Sequence, residues 1–134
     1  MDERIRELKS RVQPGDRELV HGVLQRIGDK WSVMAIIVLA KRPRRFTELL
    51  DAIPGISRRM LTVTLRQLER DGLVERVFHT QPVPWTEYAV TDMGRSIREP
   101  LATVLEWVLD HREEILEHRA RYDSSQITAL DSRS

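Results

Sequence analysis

Five side chains lie close together in this 134-residue sequence in a pattern suited to reading a polyanion: Arg58, Arg59, Thr62, Val63 and Arg66. At about 3.6 residues per turn, a helix through them gathers Arg59, Thr62, Val63 and Arg66 on one side, with Arg58 beside them. Leu61, Leu65 and Leu68 fall on the other side. A guanidinium can bridge a guanine edge with two hydrogen bonds, and Thr and Val methyls can touch a thymine methyl. Ser57, just ahead, can cap such a helix and offer its hydroxyl to a phosphate. Taken alone, the same pattern is an ordinary solvated helix face, so the neighbouring elements decide.

Those elements form a recognisable order in RRFTELLDAIPGISRRMLTVTLRQLERDGLVERV. A short helix over Thr47–Ala52 turns Phe46, Leu49, Leu50 and Ile53 inward, and Pro54-Gly55 makes a turn. A longer helix, capped by Ser57, runs to Asp71, where Gly72 supplies a left-handed residue. Two helices on a tight turn, the second longer, are the helix-turn-helix pattern, whose second helix enters the major groove. Lys41, Arg42, Arg44 and Arg45 precede the first helix. From there they and its amide groups can meet phosphates.

The period then changes from helical to alternating. Leu73–Phe78 and Glu87–Thr91 read as strands, joined by HTQPVPWT, too long for a tight hairpin turn. His79, Thr80 and Gln81 could reach a flanking groove or backbone from this wing. Trp85 either joins them or packs beneath the loop as structure.

Upstream, Ile5, Leu8 and Val12 suggest a short helix before Pro14-Gly15. Asp16 then caps a helix carrying Leu19, Val20, Val23, Leu24 and Ile27. A further helix from Asp29 or Lys30 to Leu39 is apolar on most sides, which predicts burial. Downstream, Thr91 or Asp92 caps a final long helix, with a kink or restart expected at Pro100. Its stripe of Leu101, Val104, Leu105, Val108 and Leu109 continues to Ile115 and Leu116 and outruns a compact monomer. With Leu19 and Val20 it is the expected dimer interface. Residues 1–15 read as an N-terminal arm, 16–122 as the DNA-binding and dimerisation domain, and 123–134 as a polar, frayed tail.

Charge follows this division. Lys41–His79 holds nine basic and five acidic residues, whereas Asp92–Asp123 holds five basic and eight acidic. A basic middle beside an acidic C-terminal segment can set a nucleic-acid face apart from another surface. The overall preference for Arg over Lys explains the counts equally well.

Enzyme chemistry finds no constellation. The six glycines are scattered as caps and turns, not gathered in a phosphate loop. No spaced carboxylate pair accompanies a nucleophile, and the chain has no cysteine, which excludes disulfides and thiol sensing. His111, Glu114 and His118 share a helix face, but on a polar helix they read as solvated, so no metal is expected. His21 reads either as lining a ligand pocket or as a partly buried histidine. No cofactor is expected. No run approaches the roughly 20 apolar residues of a membrane span, and the charged start MDERIRELKSR has no apolar signal core. A cytoplasmic protein is expected.

The runs IGDKW (Ile27–Trp31), RPRRFTEL (Arg42–Leu49), IPGISRRMLTVTLRQLERDGLVER (Ile53–Arg76) and YAVTDMGRSI (Tyr88–Ile97) resemble the HxlR family of winged-helix regulators, within the broader MarR-like group. The resemblance covers roughly residues 17 to 110. It implies a dimeric regulator of its own or adjacent genes, in some members responsive to electrophiles or small metabolites. Many members carry a cysteine where Glu18 stands here, so cysteine-based sensing is closed to this chain. Asp29 replaces a common glycine without evident consequence. The expected fold is α+β, predominantly α: a winged helix-turn-helix with a small β-hairpin wing and a long C-terminal dimerisation helix. The expected partners are double-stranded DNA, a second copy of the chain and an unidentified small-molecule effector. The rival reading is a winged-helix protein-interaction module without DNA binding.

Overall fold

The computed structural model describes residues 2–133; Met1 and Ser134, the outermost residues of the expected arm and tail, lie outside the described residues. The chain divides into two units, one ending at Ile97 and the other starting at Arg98. The first holds α1 (Asp2–Arg11), α2 (Asp16–Gly28), α3 (Lys30–Lys41), α4 (Phe46–Ala52), α5 (Arg58–Arg70), β1 (Val74–His79), β2 (Trp85–Val90) and α6 (Asp92–Ser96). The second holds α7 (Arg98–Asp110) and α8 (Arg112–Arg133).

Two helix caps differ from the expectation, although α3 starts at Lys30 as expected. Gly15, at φ 93°, is the N-cap of α2, not Asp16. Asp16 sits in the first turn, and its Oδ2 accepts the Gln13 backbone N–H at 2.8 Å. Asp29, expected to be without consequence, caps α3. Its carboxylate accepts the Trp31 and Ser32 backbone N–H groups at 3.4 Å each and the Ser32 hydroxyl at 2.9 Å. It satisfies donors that every helix start leaves open.

The core of the first unit forms around α3, which packs against α2, α4, α5, α6 and β2. Ala35, Ile36 and Leu39 of α3 meet Leu49, Ile53, Ile56, Leu61, Leu65 and Leu68, and Leu73, Val74 and Val90 close the cluster. The apolar surround of α3 is not wholly covered: Ile37 is 53% exposed. From α2, Arg26 Nε stands 3.3 Å from Asp71 Oδ2 at the end of α5.

The exit from α5 fixes the hairpin's origin. Gly72 takes φ 76°, the left-handed conformation expected of it, and the Leu73 N–H turns back to the Leu68 carbonyl at 2.9 Å. The Thr91 hydroxyl donates to the Gly72 carbonyl at 2.6 Å and accepts the Gly94 N–H at 3.0 Å, capping α6. Gly94 lies so close to the Leu73 carbonyl that a Cβ there would overlap its oxygen.

β1 and β2 pair antiparallel from Val74↔Val90 to His79↔Trp85. Both strands run further into the loop than expected, which leaves Thr80–Pro84 as the connection. The Gln81–Pro82 peptide is cis. Arg44 adds a bridge on the other side of β2: its N–H donates to the Tyr88 carbonyl at 2.9 Å, and the Tyr88 N–H donates to the Arg44 carbonyl at 2.7 Å. A two-stranded hairpin alone is marginally stable. This one is held at its base by buried Val74 and Val90 and along its edge by Arg44.

The expected single C-terminal helix is instead three. The first break falls at Ile97, three residues before Pro100, and Pro100 occupies the first turn of α7, where no amide donor is needed. A second break follows Asp110, where the His111 N–H is shared between the Trp107 and Val108 carbonyls at 3.1 and 3.2 Å. The expected frayed tail is helical as far as Arg133. Its residues are polar, but no Gly or Pro interrupts 112–133, so nothing local stops the helix.

Candidate nucleic-acid interface

The face of α5 opposite its leucines is open. Leu61, Thr64, Leu65 and Leu68 are buried, whereas Arg58, Arg59, Val63 and Arg66 are exposed and Thr62 is half-buried. Met60, missed by the sequence reading, shares the exposed start of the helix. Ser57 Oγ accepts the Met60 N–H at 3.0 Å. The Thr62 hydroxyl donates to the Arg58 carbonyl at 2.9 Å. Among the described residues, none hydrogen-bonds or ion-pairs with the guanidinium groups of Arg58, Arg59 and Arg66.

The basic run before α4 proves to be divided in role. Arg42 is occupied: its guanidinium donates to Glu48 Oε2 at 3.1 Å and to the Pro43 carbonyl at 3.2 Å. Glu48 Oε1 accepts the Arg45 backbone N–H at 3.0 Å. That backbone hydrogen bond, then the Arg42 contact, hold the Glu48 carboxyl below its usual pKa. Arg44 is half-buried, its Nε enclosed with no hydrogen-bond partner among the described residues. Arg45 and Lys41 are exposed.

The Arg45 guanidinium lies 4.1 Å over the Trp85 ring, and that ring also stacks on His79, centroids 3.9 Å apart and 14° from parallel. His79 Nε2 donates to Glu87 Oε1 at 2.9 Å, and Trp85 Nε1 donates to the Gln81 carbonyl at 3.2 Å. Strand alternation explains the grouping. The register puts His79, Trp85 and Glu87 on one face of the hairpin, with Arg76, Phe78, Thr86 and Tyr88 on the other. Trp85 therefore packs within the wing, between Arg45 and His79. His79, expected to reach outward, is half-buried and committed to this stack, whereas Thr80 and Gln81 are exposed.

On the opposite face lies a pocket of about 170 Å³, lined by Phe46, Thr62, Leu65, Arg66, Glu69, Arg76 and Tyr88. Arg76 Nε donates to Glu69 Oε1 at 2.7 Å. Burial, and secondarily the Glu69 charge, raise the pKa of Tyr88, against the opposing pull of Arg76 and Arg66. In sequence, Arg76 is one of nine basic residues between Lys41 and His79. Its cross-strand partner Tyr88 could have been found only with the register known.

The candidate dimer residues are largely uncovered within their own units. In the first unit Leu19 and Val20 are exposed at 65% and 50%, beside Leu24. In the second, Val104, Leu105, Val108 and Leu109 are exposed and Leu101 is half-buried. His21 is exposed, against its reading as a partly buried histidine. His111 stacks on Trp107 at 4.4 Å and donates from Nδ1 to the Trp107 carbonyl at 2.7 Å. Among the described residues no helix is long and apolar enough to cross a membrane.

Comparison with known proteins agrees with this geometry. The family described as HxlR-like helix-turn-helix matches residues 26–116. The chain is 40% identical over 81 residues to YkvN of Bacillus subtilis strain 168, an uncharacterized HTH-type transcriptional regulator, covering 60% of this chain and 69% of that one. The redox regulator HypR in its reduced form superposes with a TM-score of 0.61 at 36% identity, over 73% of this chain and 96% of HypR. The reduced form of the transcriptional regulator YodB from B. subtilis gives 0.63 at 27% identity, over 72% and 92%.

Proposed function

Since the chain belongs to the HxlR-like helix-turn-helix family, we propose that this HTH-type transcriptional regulator is a homodimer that binds double-stranded DNA sequence-specifically, in the cytoplasm, to repress or activate nearby genes. The observation that carries this reading is the free arginine face of α5. Long cationic side chains with no hydrogen-bond or ion-pair partner among the described residues, backed by a row of buried leucines, are what groove reading needs.

In this reading Arg59 and Arg66 meet base edges with Arg58 beside them, and Thr62 and Val63 supply methyl contacts. Ser57, Arg44, Arg45, Thr80 and Gln81 meet the backbone, while His79 holds the wing in place. Phosphate contacts fix register, and base contacts specify sequence. The exposed apolar residues of α2 and α7 pair with those of a second copy. A two-fold dimer then sets its recognition helices on half-sites about 34–36 Å apart. Any effector acts without thiol chemistry, because the chain has no cysteine.

A gel-shift titration at two salt concentrations, on the DNA upstream of the protein's own gene, tests the proposal. Binding should weaken steeply with salt. Arg59→Ala should relax base preference at a cost of about 1–3 kcal/mol, whereas Arg45→Ala should weaken all duplexes alike. If no fragment shifts at either salt, the protein-interaction module becomes the better reading.

A further inference from the structure

We propose that the pocket between α5 and the wing is a seat for one phosphodiester group of the DNA backbone, in which Arg76 exchanges Glu69 for the phosphate and the Tyr88 hydroxyl donates beside it. This deepens the DNA-binding reading and rests on it.

Size argues for a single group. At about 170 Å³ the pocket is close to a cavity that holds one benzene ring. It falls well short of the roughly 300–1,000 Å³ of sites for drug-sized ligands. A bulky effector does not fit, but one tetrahedral oxyanion does.

The donors match an oxyanion. Arg76 and Arg66 set two positive charges against the single charge of Glu69 along the lining. The Tyr88 hydroxyl has no hydrogen-bond partner among the described residues, and a phenol is protonated at neutral pH and able to donate. Thr62 and Arg66 stand one helical turn apart on α5, so the seat opens beside the residues proposed to read bases. Arg76 is half-exposed at its side chain, and its bond to Glu69 spans seven residues between α5 and β1. An exposed pair of this kind is worth little by itself. A phosphate oxygen can replace the Glu69 carboxylate at small cost. In the free protein, Glu69 holds the guanidinium in place and discourages stray anions.

The test measures binding of a short mixed-sequence duplex across a salt series for the wild type, Arg76→Ala, Tyr88→Phe and Glu69→Gln. Arg76→Ala should weaken binding about tenfold and reduce the slope of log K against log salt by about 1. Tyr88→Phe keeps the ring and the backbone bridge, and should weaken binding a few-fold on every sequence. Glu69→Gln should tighten binding, because it frees Arg76 and removes a negative charge. A duplex neutralised at single phosphates by methylphosphonate should show one position whose loss penalises the wild type and Tyr88→Phe far more than Arg76→Ala. Inorganic phosphate at constant ionic strength should not compete; competition would make the seat a site for free anions and overturn the backbone assignment. If the wild type binds while Arg76→Ala and Tyr88→Phe match it in affinity and slope, the seat is refuted and the DNA reading stands. If the wild type binds no duplex, both fall.

Discussion

The rings of His79 and Trp85 face each other across the last register pair of the wing, 3.9 Å apart, with the Arg45 guanidinium 4.1 Å from the far partner. This stack fastens the loop of the hairpin to the turn that begins α4, so the wing is tied to the helix-turn-helix at its outer end as well as at its root.

Trp85→Ala should therefore loosen the wing. The lost stacking and cation–π contacts are worth about 1–2 kcal/mol together. Hydrogen exchange should quicken at Thr80–Pro84, and DNA affinity should fall on all sequences without a change in preference. Unchanged exchange in the wing would show that the stack carries no weight.

Gly94→Ala should be among the most damaging small substitutions. The added Cβ would overlap the Leu73 carbonyl oxygen and lie 2.8 Å from Val90 Cγ2, and neither backbone nor buried valine can easily yield. A loss of about 1–3 kcal/mol or more is expected, read as a lower urea midpoint. A midpoint equal to that of the wild type would rule out the close approach.

Glu48 gives a dependence on pH. Its carboxyl is more acidic in the folded chain than in the unfolded one, through the Arg45 N–H and then Arg42. Its contribution is complete at neutral pH and disappears as the pH falls through the depressed pKa. The stability difference between wild type and Glu48→Gln should be largest near neutrality and close in acid, measured by denaturant unfolding at several pH values. A gap that widens in acid would reverse the assignment.

Leu105→Asp and Val108→Asp place charge among exposed apolar residues of α7. Both should shift the protein toward monomer in sedimentation experiments and reduce DNA affinity, while the helical circular dichroism signal is kept. A dimer that persists in both variants would move the interface elsewhere.

The parts of the molecule that sequence disclosed are those built from neighbours in the chain. Leu61, Leu65 and Leu68 share a face by periodicity, Gly72 ends α5 because only glycine takes that turn easily, and Ser57 caps from one position ahead. What remained hidden depends on partners remote in sequence or on register. The Arg76–Tyr88 pair requires the register of the two strands, and the His79–Trp85 stack requires them to extend further into HTQPVPWT than turn residues suggest. The break at Ile97 was masked by the stronger signal of Pro100, which proved harmless in a first turn. Asp29 looked like an exchange for glycine, and its capping bonds appear only with the helix in place.

The bridge between Arg44 and Tyr88 has a mechanical consequence for recognition. It ties β2 to the segment that opens α4, so the hairpin is joined to the helix-turn-helix along its edge as well as at its root. In the proposed complex, adjustment would then fall to the nucleic acid, and sequences whose groove widens or bends cheaply should be favoured even at base pairs that no side chain touches.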